Sequence, residues 1–135
     1  MKPLLGTRSR RTVLIVEDAL TTGRILEHFF ARAGCDVLQA ADPDTALRCL
    51  DTASVDAVIL DPRLGDDRSG LEVLEQMRLE ERFADVPVVI LTGVAQVEPH
   101  EEETIQRNGA HLLYKHMGYR EVVERLERII SRVPA

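Results

Sequence analysis

The stretch Val55-Asp56-Ala57-Val58-Ile59-Leu60-Asp61 decides how the rest of the chain reads. Its apolar, β-branched run lies between polar segments and has the length of a strand. It shows no polar–apolar alternation, so it reads as a strand covered on both faces, a property of parallel sheets. Asp61 closes the run, and in open α/β sheets ligands gather outside the carboxyl ends of the strands. A carboxylate therefore stands where such a sheet does its chemistry.

Working outward, Thr12 to Val16 repeats the pattern and stops at two acids, Glu17 and Asp18. Leu20, Ile25, Leu26, Phe29, Phe30 and Ala33 then follow near helical spacing, with Gly34 as the stop. Val37 to Ala41 reads as a second strand. Asp42-Pro43-Asp44 opens a helix with Ala46, Leu47 and Leu50 inward, because Asp caps exposed amides and Pro suits the first turn. After Asp61 comes the turn-rich Pro62 to Gly70, where Ser69 is suited to cap a helix carrying Leu71, Val73, Leu74, Met77 and Phe83. Pro87 to Leu91 makes a fourth strand ending at Thr92-Gly93. The segment from Val94 to Asn108 is polar, so its helix has few apolar anchors and is expected to be the loosest element, with Glu98 to Glu103 a solvated face. His111 to Tyr114 forms a fifth strand ending at Lys115, and residues 119–132 a last helix with Val122, Val123, Leu126, Ile129 and Ile130 inward.

Five β-α units imply an α/β fold with a parallel sheet, helices on both faces and right-handed crossovers. At this length the five-stranded order 2-1-3-4-5 is favoured over the larger dinucleotide-binding one, and no glycine-rich phosphate cradle follows the first strand. The 135 residues fit one folded domain, residues 12–132, behind a basic tail at 1–11 that carries Lys2, Arg8, Arg10 and Arg11 and is expected to be solvated; no output domain is expected. The balance of 17 basic against 23 acidic residues gives −6, which argues against nucleic acid as a direct partner. Cys35 and Cys49 lack metal-ligand spacing and read as free thiols, and His28, His100, His111 and His116 do not cluster. The absence of an apolar span of about 20 residues and of a secretory leader points to the cytoplasm, with no membrane contact.

In the 2-1-3-4-5 order the chain reverses between strands one and three, so Glu17, Asp18 and Asp61 meet in one crevice, with Thr92 and Lys115 on its neighbouring side. Carboxylates gathered this closely repel one another. A few carboxylate oxygens with retained waters suit Mg²⁺. An aspartate can also act as a nucleophile on phosphorus, with Mg²⁺ and Lys115 neutralising the phosphoryl oxygens and the Thr92 hydroxyl bonding one of them.

Val13-Leu14-Ile15-Val16-Glu17-Asp18, Val58-Ile59-Leu60-Asp61, Val89-Ile90-Leu91-Thr92-Gly93 and Gly109-Ala110 followed by Lys115 resemble the receiver domain of two-component response regulators, which has the flavodoxin-like (βα)5 fold. The resemblance covers roughly residues 12–132. It implies that Glu17 and Asp18 are the metal-binding acidic pair, Asp61 the phosphoacceptor and third metal ligand, and the Arg63 backbone carbonyl the group completing a Mg²⁺ site. Thr92 resembles the switch hydroxyl and Lys115 the phosphate-binding lysine. The implied partners are a sensor histidine kinase or phosphotransfer protein and a downstream protein target met through helix 4, strand 5 and helix 5. A homodimer through the last helix is compatible with this. No enzymatic activity is implied beyond self-phosphorylation from a phosphodonor and self-dephosphorylation. The chain departs from the family's pattern in several places. Gly65 stands where Pro is common, Gly70 arrives one residue late, and Pro62 directly follows Asp61. His116 replaces the Pro after the lysine, so a cis peptide is not expected there, and Leu112 replaces the switch aromatic. These departures sustain an alternative, a phosphorylation-independent adaptor that keeps the fold. A phosphatase is disfavoured, since Arg63 occupies the place of the general acid two residues after the nucleophile.

Overall fold

A computed structural model describes residues 10–65, 67–93 and 97–131. Five strands, β1 (Thr12–Val16), β2 (Asp36–Ala40), β3 (Ala57–Leu60), β4 (Val88–Thr92) and β5 (His111–Tyr114), alternate with five helices, α1 (Leu20–Arg32), α2 (Pro43–Thr52), α3 (Leu71–Arg78), α4 (Pro99–Arg107) and α5 (Tyr119–Ser131). All four pairings are parallel and the order is β2-β1-β3-β4-β5. This is the flavodoxin-like arrangement that the alternation of elements implies.

The sheet divides the core in two, and the two-residue period of each strand decides which side chain joins which half. Leu14, Val16, Val58, Leu60 and Ile90 pack with Ala46, Leu74 and Ile105 from α2, α3 and α4. Val13, Ile15, Ile59 and Leu91 pack on the other face with Leu26 and Phe30 of α1 and Val122, Leu126 and Ile130 of α5. A strand such as β3 must be apolar at consecutive positions because it serves both halves.

The helix boundaries follow from local chemistry. Gly34 takes a φ of 91° past the end of α1, which lets the Cys35 amide reach back to the Phe30 carbonyl at 3.0 Å. The Asp42 carboxylate accepts the Thr45 amide at 2.8 Å and opens α2. The Ser69 hydroxyl accepts the Leu71 amide at 3.1 Å, as its position before α3 suggests.

Some boundaries differ from the sequence reading. β3 starts at Ala57, because Asp56 clamps the strand's entry: its amide donates to the Thr12 carbonyl and its carboxylate accepts the Thr12 amide, both at 2.8 Å. α3 ends at Arg78, before Phe83, which lies in a separate 3₁₀ turn, Glu81–Phe83. The Arg78 guanidinium donates to the carbonyls of Phe83 and Asn108, each at 2.8 Å, and so draws the chain back toward β4. Arg10, in the segment expected to be a solvated tail, is exposed, and its guanidinium bonds the Asp36 carboxylate at 3.0 Å and the Cys35 carbonyl at 2.9 Å. The rest of the expected tail, residues 1–9, lies outside the described residues, as do Val94, Ala95, Gln96 and residue 132. Among the described residues no helix is long and apolar enough to cross a membrane.

The loop from Pro62 to Gly70 turns back tightly on the strand it leaves. Asp67 takes a φ of 58°, a conformation that Asp tolerates better than most side chains. Gly70 lies directly against β3: a Cβ there would stand 2.0 Å from the Asp61 carbonyl oxygen. Gly70→Ala is therefore expected to lower stability by about 1–3 kcal/mol, the usual cost of forcing extra volume into a packed site. Urea denaturation measures this, and an unchanged midpoint would show that the loop absorbs the added carbon.

Candidate functional site

Parallel pairing brings the carboxyl ends of four strands to one edge of the sheet. Val16 lies beside Leu60, Leu60 beside Ile90 and Thr92 beside Tyr114, so the residues that end or follow these strands become neighbours. Lys115 Nζ donates to Glu17 Oε1 and to Asp61 Oδ2, both at 2.9 Å. Glu17 and Asp61 are each only 9% exposed, and Thr92 is fully buried at the end of β4. The second oxygen of Asp61 accepts the Arg63 amide at 2.8 Å, which skips over Pro62 and its missing N–H. Glu17 Oε2 accepts the Ala19 amide at 3.2 Å at the start of α1.

Burial decides what these contacts are worth. An exposed ion pair contributes about 0–1 kcal/mol, but a hydrogen bond to a charged group in a largely dry site contributes about 1.5–3 kcal/mol before the desolvation cost is subtracted. Burial pushes the Glu17 carboxyl above its ordinary range and the Asp61 charge adds to this, while the Lys115 hydrogen bond opposes both. Burial alone would lower Lys115, but its hydrogen bonds to Glu17 and Asp61 together outweigh that and hold the ammonium protonated. One cation thus stands between two acids that would otherwise repel.

The acids have the hard oxygen chemistry that suits Mg²⁺. Asp18 is exposed at the rim, and a Cβ on Gly65 would come within 3.1 Å of its Oδ2, close enough that the carboxylate would have to shift by a few tenths of an ångström. Gly65, where the family commonly has Pro, therefore makes room on the metal side. Among the described residues no three acidic, histidine or cysteine side chains close into a ready cage. A largely hydrated ion held from one side needs none, because Mg²⁺ keeps several of its waters.

One neighbour carries no local signal as a site residue. Glu101 is not part of a solvated face: it is buried, and its Oε1 accepts both the Arg63 guanidinium at 2.9 Å and the Glu98 amide at 3.0 Å. The capping spacing Glu98-Pro99-His100-Glu101 was the available signal. Leu112 is half-buried against the half of the core that includes Ile105. Tyr114 shares its face of β5, one pleat closer to Lys115, with its ring stacked on His116 at 5.5 Å.

The fold and the strand-end acids define a flavodoxin-like α/β domain built around a carboxylate. Residues 13–127 match the response regulator receiver domain family, and the chain belongs to it. It is 33% identical over 123 residues to the transcriptional regulatory protein QseB of Haemophilus influenzae, covering 89% of this chain and 52% of that protein. It is 25% identical over 122 residues to the phosphate regulon transcriptional regulatory protein PhoB of Pseudomonas aeruginosa, covering 90% and 52%. The chain thus spans about half the length of the curated relatives it matches. Among solved structures, a putative response regulator from Chloroflexus aurantiacus superposes with a TM-score of 0.80 at 29% identity, covering 92% of this chain and all of that one. The chemotaxis response regulator CheY4 of Vibrio cholerae has the same fold, with a TM-score of 0.79 at 24% identity over 90% of this chain and 99% of that one. Receiver domains generally bind Mg²⁺ at the phosphorylation site and interact with histidine kinases or phosphotransfer proteins.

The raised Glu17 carboxyl has a pH signature. The folded protein binds a proton there at a pH where the unfolded chain has lost it, so the contribution of Glu17 to stability falls as pH rises through the window above 4.5. In metal-free buffer, the stability of Glu17→Gln relative to the parent should therefore increase with pH across that window. Urea midpoints compared from pH 4.5 upward check this, and a difference that stays flat or declines would contradict it.

Proposed function

We propose that this chain is a phosphorylation-dependent signalling receiver, with Asp61 as phosphoacceptor for a sensor histidine kinase or phosphotransfer protein. The observation that carries this reading is the 2.9 Å contact of Lys115 Nζ with Asp61 Oδ2, at the carboxyl edge of a family-typical sheet. The ammonium holds one carboxylate oxygen while the Arg63 amide holds the other, so the nucleophile is oriented before a phosphodonor arrives.

In the transfer, an Asp61 oxygen attacks the phosphorus of a phosphohistidine. A P–O bond forms, the P–N bond breaks, and the electron pair stays with the imidazole nitrogen, which takes a proton from water. Lys115 supplies positive charge against the phosphoryl oxygens, and the Thr92 hydroxyl, at the end of the adjacent strand, donates to one of them. Glu17, Asp18, Asp61 and the Arg63 backbone carbonyl would hold Mg²⁺, which when bound neutralises phosphoryl charge. Loss of the aspartyl phosphate by attack of water restores the carboxylate, and no other turnover is assigned to the chain. The output is protein contact at the surface of α4, β5 and α5.

Incubation with Mg²⁺ and a small acyl phosphate is expected to add one hydroxylamine-labile phosphoryl group, detected by intact mass, and Asp61→Asn is expected to take up none. Equal labelling of both proteins would overturn the assignment. A partner captured equally well by the phosphorylated protein and by Asp61→Asn would favour the adaptor reading that Leu112 invites.

A further inference from the structure

We propose that Glu101 is a positioning residue for the phosphorylation site, acting through Arg63, so that the state of Asp61 is felt in the first turn of α4. The inference rests on the reading of Asp61 as phosphoacceptor. It starts from three consecutive hydrogen bonds. The Arg63 amide donates to Asp61 Oδ1 at 2.8 Å, the Arg63 guanidinium donates to Glu101 Oε1 at 2.9 Å, and the Glu98 amide donates to that same Oε1 at 3.0 Å.

Arg63 is engaged at both ends. Its backbone holds the reacting carboxylate, and its side chain reaches an element 38 residues further along the chain. The Arg63 side chain is 42% exposed but the Glu101 side chain only 12%, so the carboxylate depends on this partner more than in a pair exposed on both sides. Glu101 Oε1 serves two donors, and one of them is the amide at the entry of α4. A shift of Arg63 therefore changes how that helix begins, without any aromatic at position 112.

Phosphorylation supplies the shift. An ionised carboxylate is a strong acceptor, whereas the acyl phosphate formed from it offers the Arg63 amide a neutral carbonyl or a bridging oxygen. The bond that fixes the Arg63 backbone weakens, the guanidinium loses its fixed base, and the largely buried Glu101 carboxylate loses its counter-charge, which loosens the first turn of α4 that it caps. The coupling is reciprocal by linkage: a partner that binds tighter when a phosphoryl mimic occupies Asp61 must raise the site's affinity for that mimic by the same factor.

A purely structural role for Glu101, capping α4, is separable from this one. Glu101→Gln keeps an oxygen for the Glu98 amide but removes the charge that Arg63 meets. The test uses beryllium fluoride with Mg²⁺ as a phosphoryl mimic, with occupancy of Asp61 read by fluorine NMR and hydrogen exchange read at α4 amides such as Glu102, which bonds the Glu98 carbonyl at 2.9 Å. At full occupancy, exchange at these amides should accelerate roughly tenfold in the parent protein, within the usual range for coupled sites. It should change less than about twofold in Glu101→Gln and in Arg63→Gln, and the double variant should lose nothing further, as members of one pathway behave. An undiminished α4 response in occupied Glu101→Gln, or additive losses, would overturn the coupling while leaving the phosphoacceptor intact. Failure of the parent protein to take up the mimic would overturn the phosphoacceptor reading, and the coupling with it.

Discussion

The ammonium of Lys115, bonded at once to Glu17 and Asp61, is the contact on which the site depends. A parallel sheet delivers the ends of its strands to one edge, and here those ends carry acids. Without a positive group between them, Glu17 and Asp61 would be two charges facing each other in a space that water barely reaches. Lys115 follows the strand at the far edge of the sheet, and the 2-1-3-4-5 order brings it to the acids. Topology and electrostatics are therefore one constraint.

The same constraint accounts for the glycines beside the site. Gly70 packs on the Asp61 carbonyl and Gly65 leaves space beside the Asp18 carboxylate. The loop between them has one residue more than the family's usual spacing and places Asp67 in the left-handed region. It closes through Arg68, whose guanidinium bonds Glu72 twice and approaches Asp44 of α2 at 3.6 Å. An unusual loop thus meets the usual requirement of keeping the reacting carboxylate fixed and its metal side open.

Much of this was legible in the sequence because the signals were strong and local. Val58-Ile59-Leu60 could hardly be anything but a strand buried on both faces, and Asp61, Glu17, Asp18, Thr92 and Lys115 each follow or end such a run. Gly34, Asp42 and Ser69 mark helix boundaries through their own backbone or side-chain chemistry. What escaped was non-local. Glu101 sits in a run of acids that reads as solvated, and the guanidinium of Arg63 together with the Glu98 amide makes its burial tolerable. Arg10 reads as part of a tail because its partners, the Cys35 carbonyl and Asp36, lie 25 and 26 residues away. The early end of α3 depends on Arg78 reaching the carbonyl of Asn108. In each case a long side chain finds a partner that only the folded chain supplies.

The site depends on Lys115 being the counter-charge of Asp61 rather than a solvated lysine nearby. A double-mutant cycle joining Lys115→Met and Asp61→Asn in metal-free buffer, read by urea denaturation, measures this most directly. A coupling of about 1–3 kcal/mol is expected, as for a hydrogen bond between charged groups shielded from water. A coupling of a few tenths, typical of an exposed pair, would contradict it.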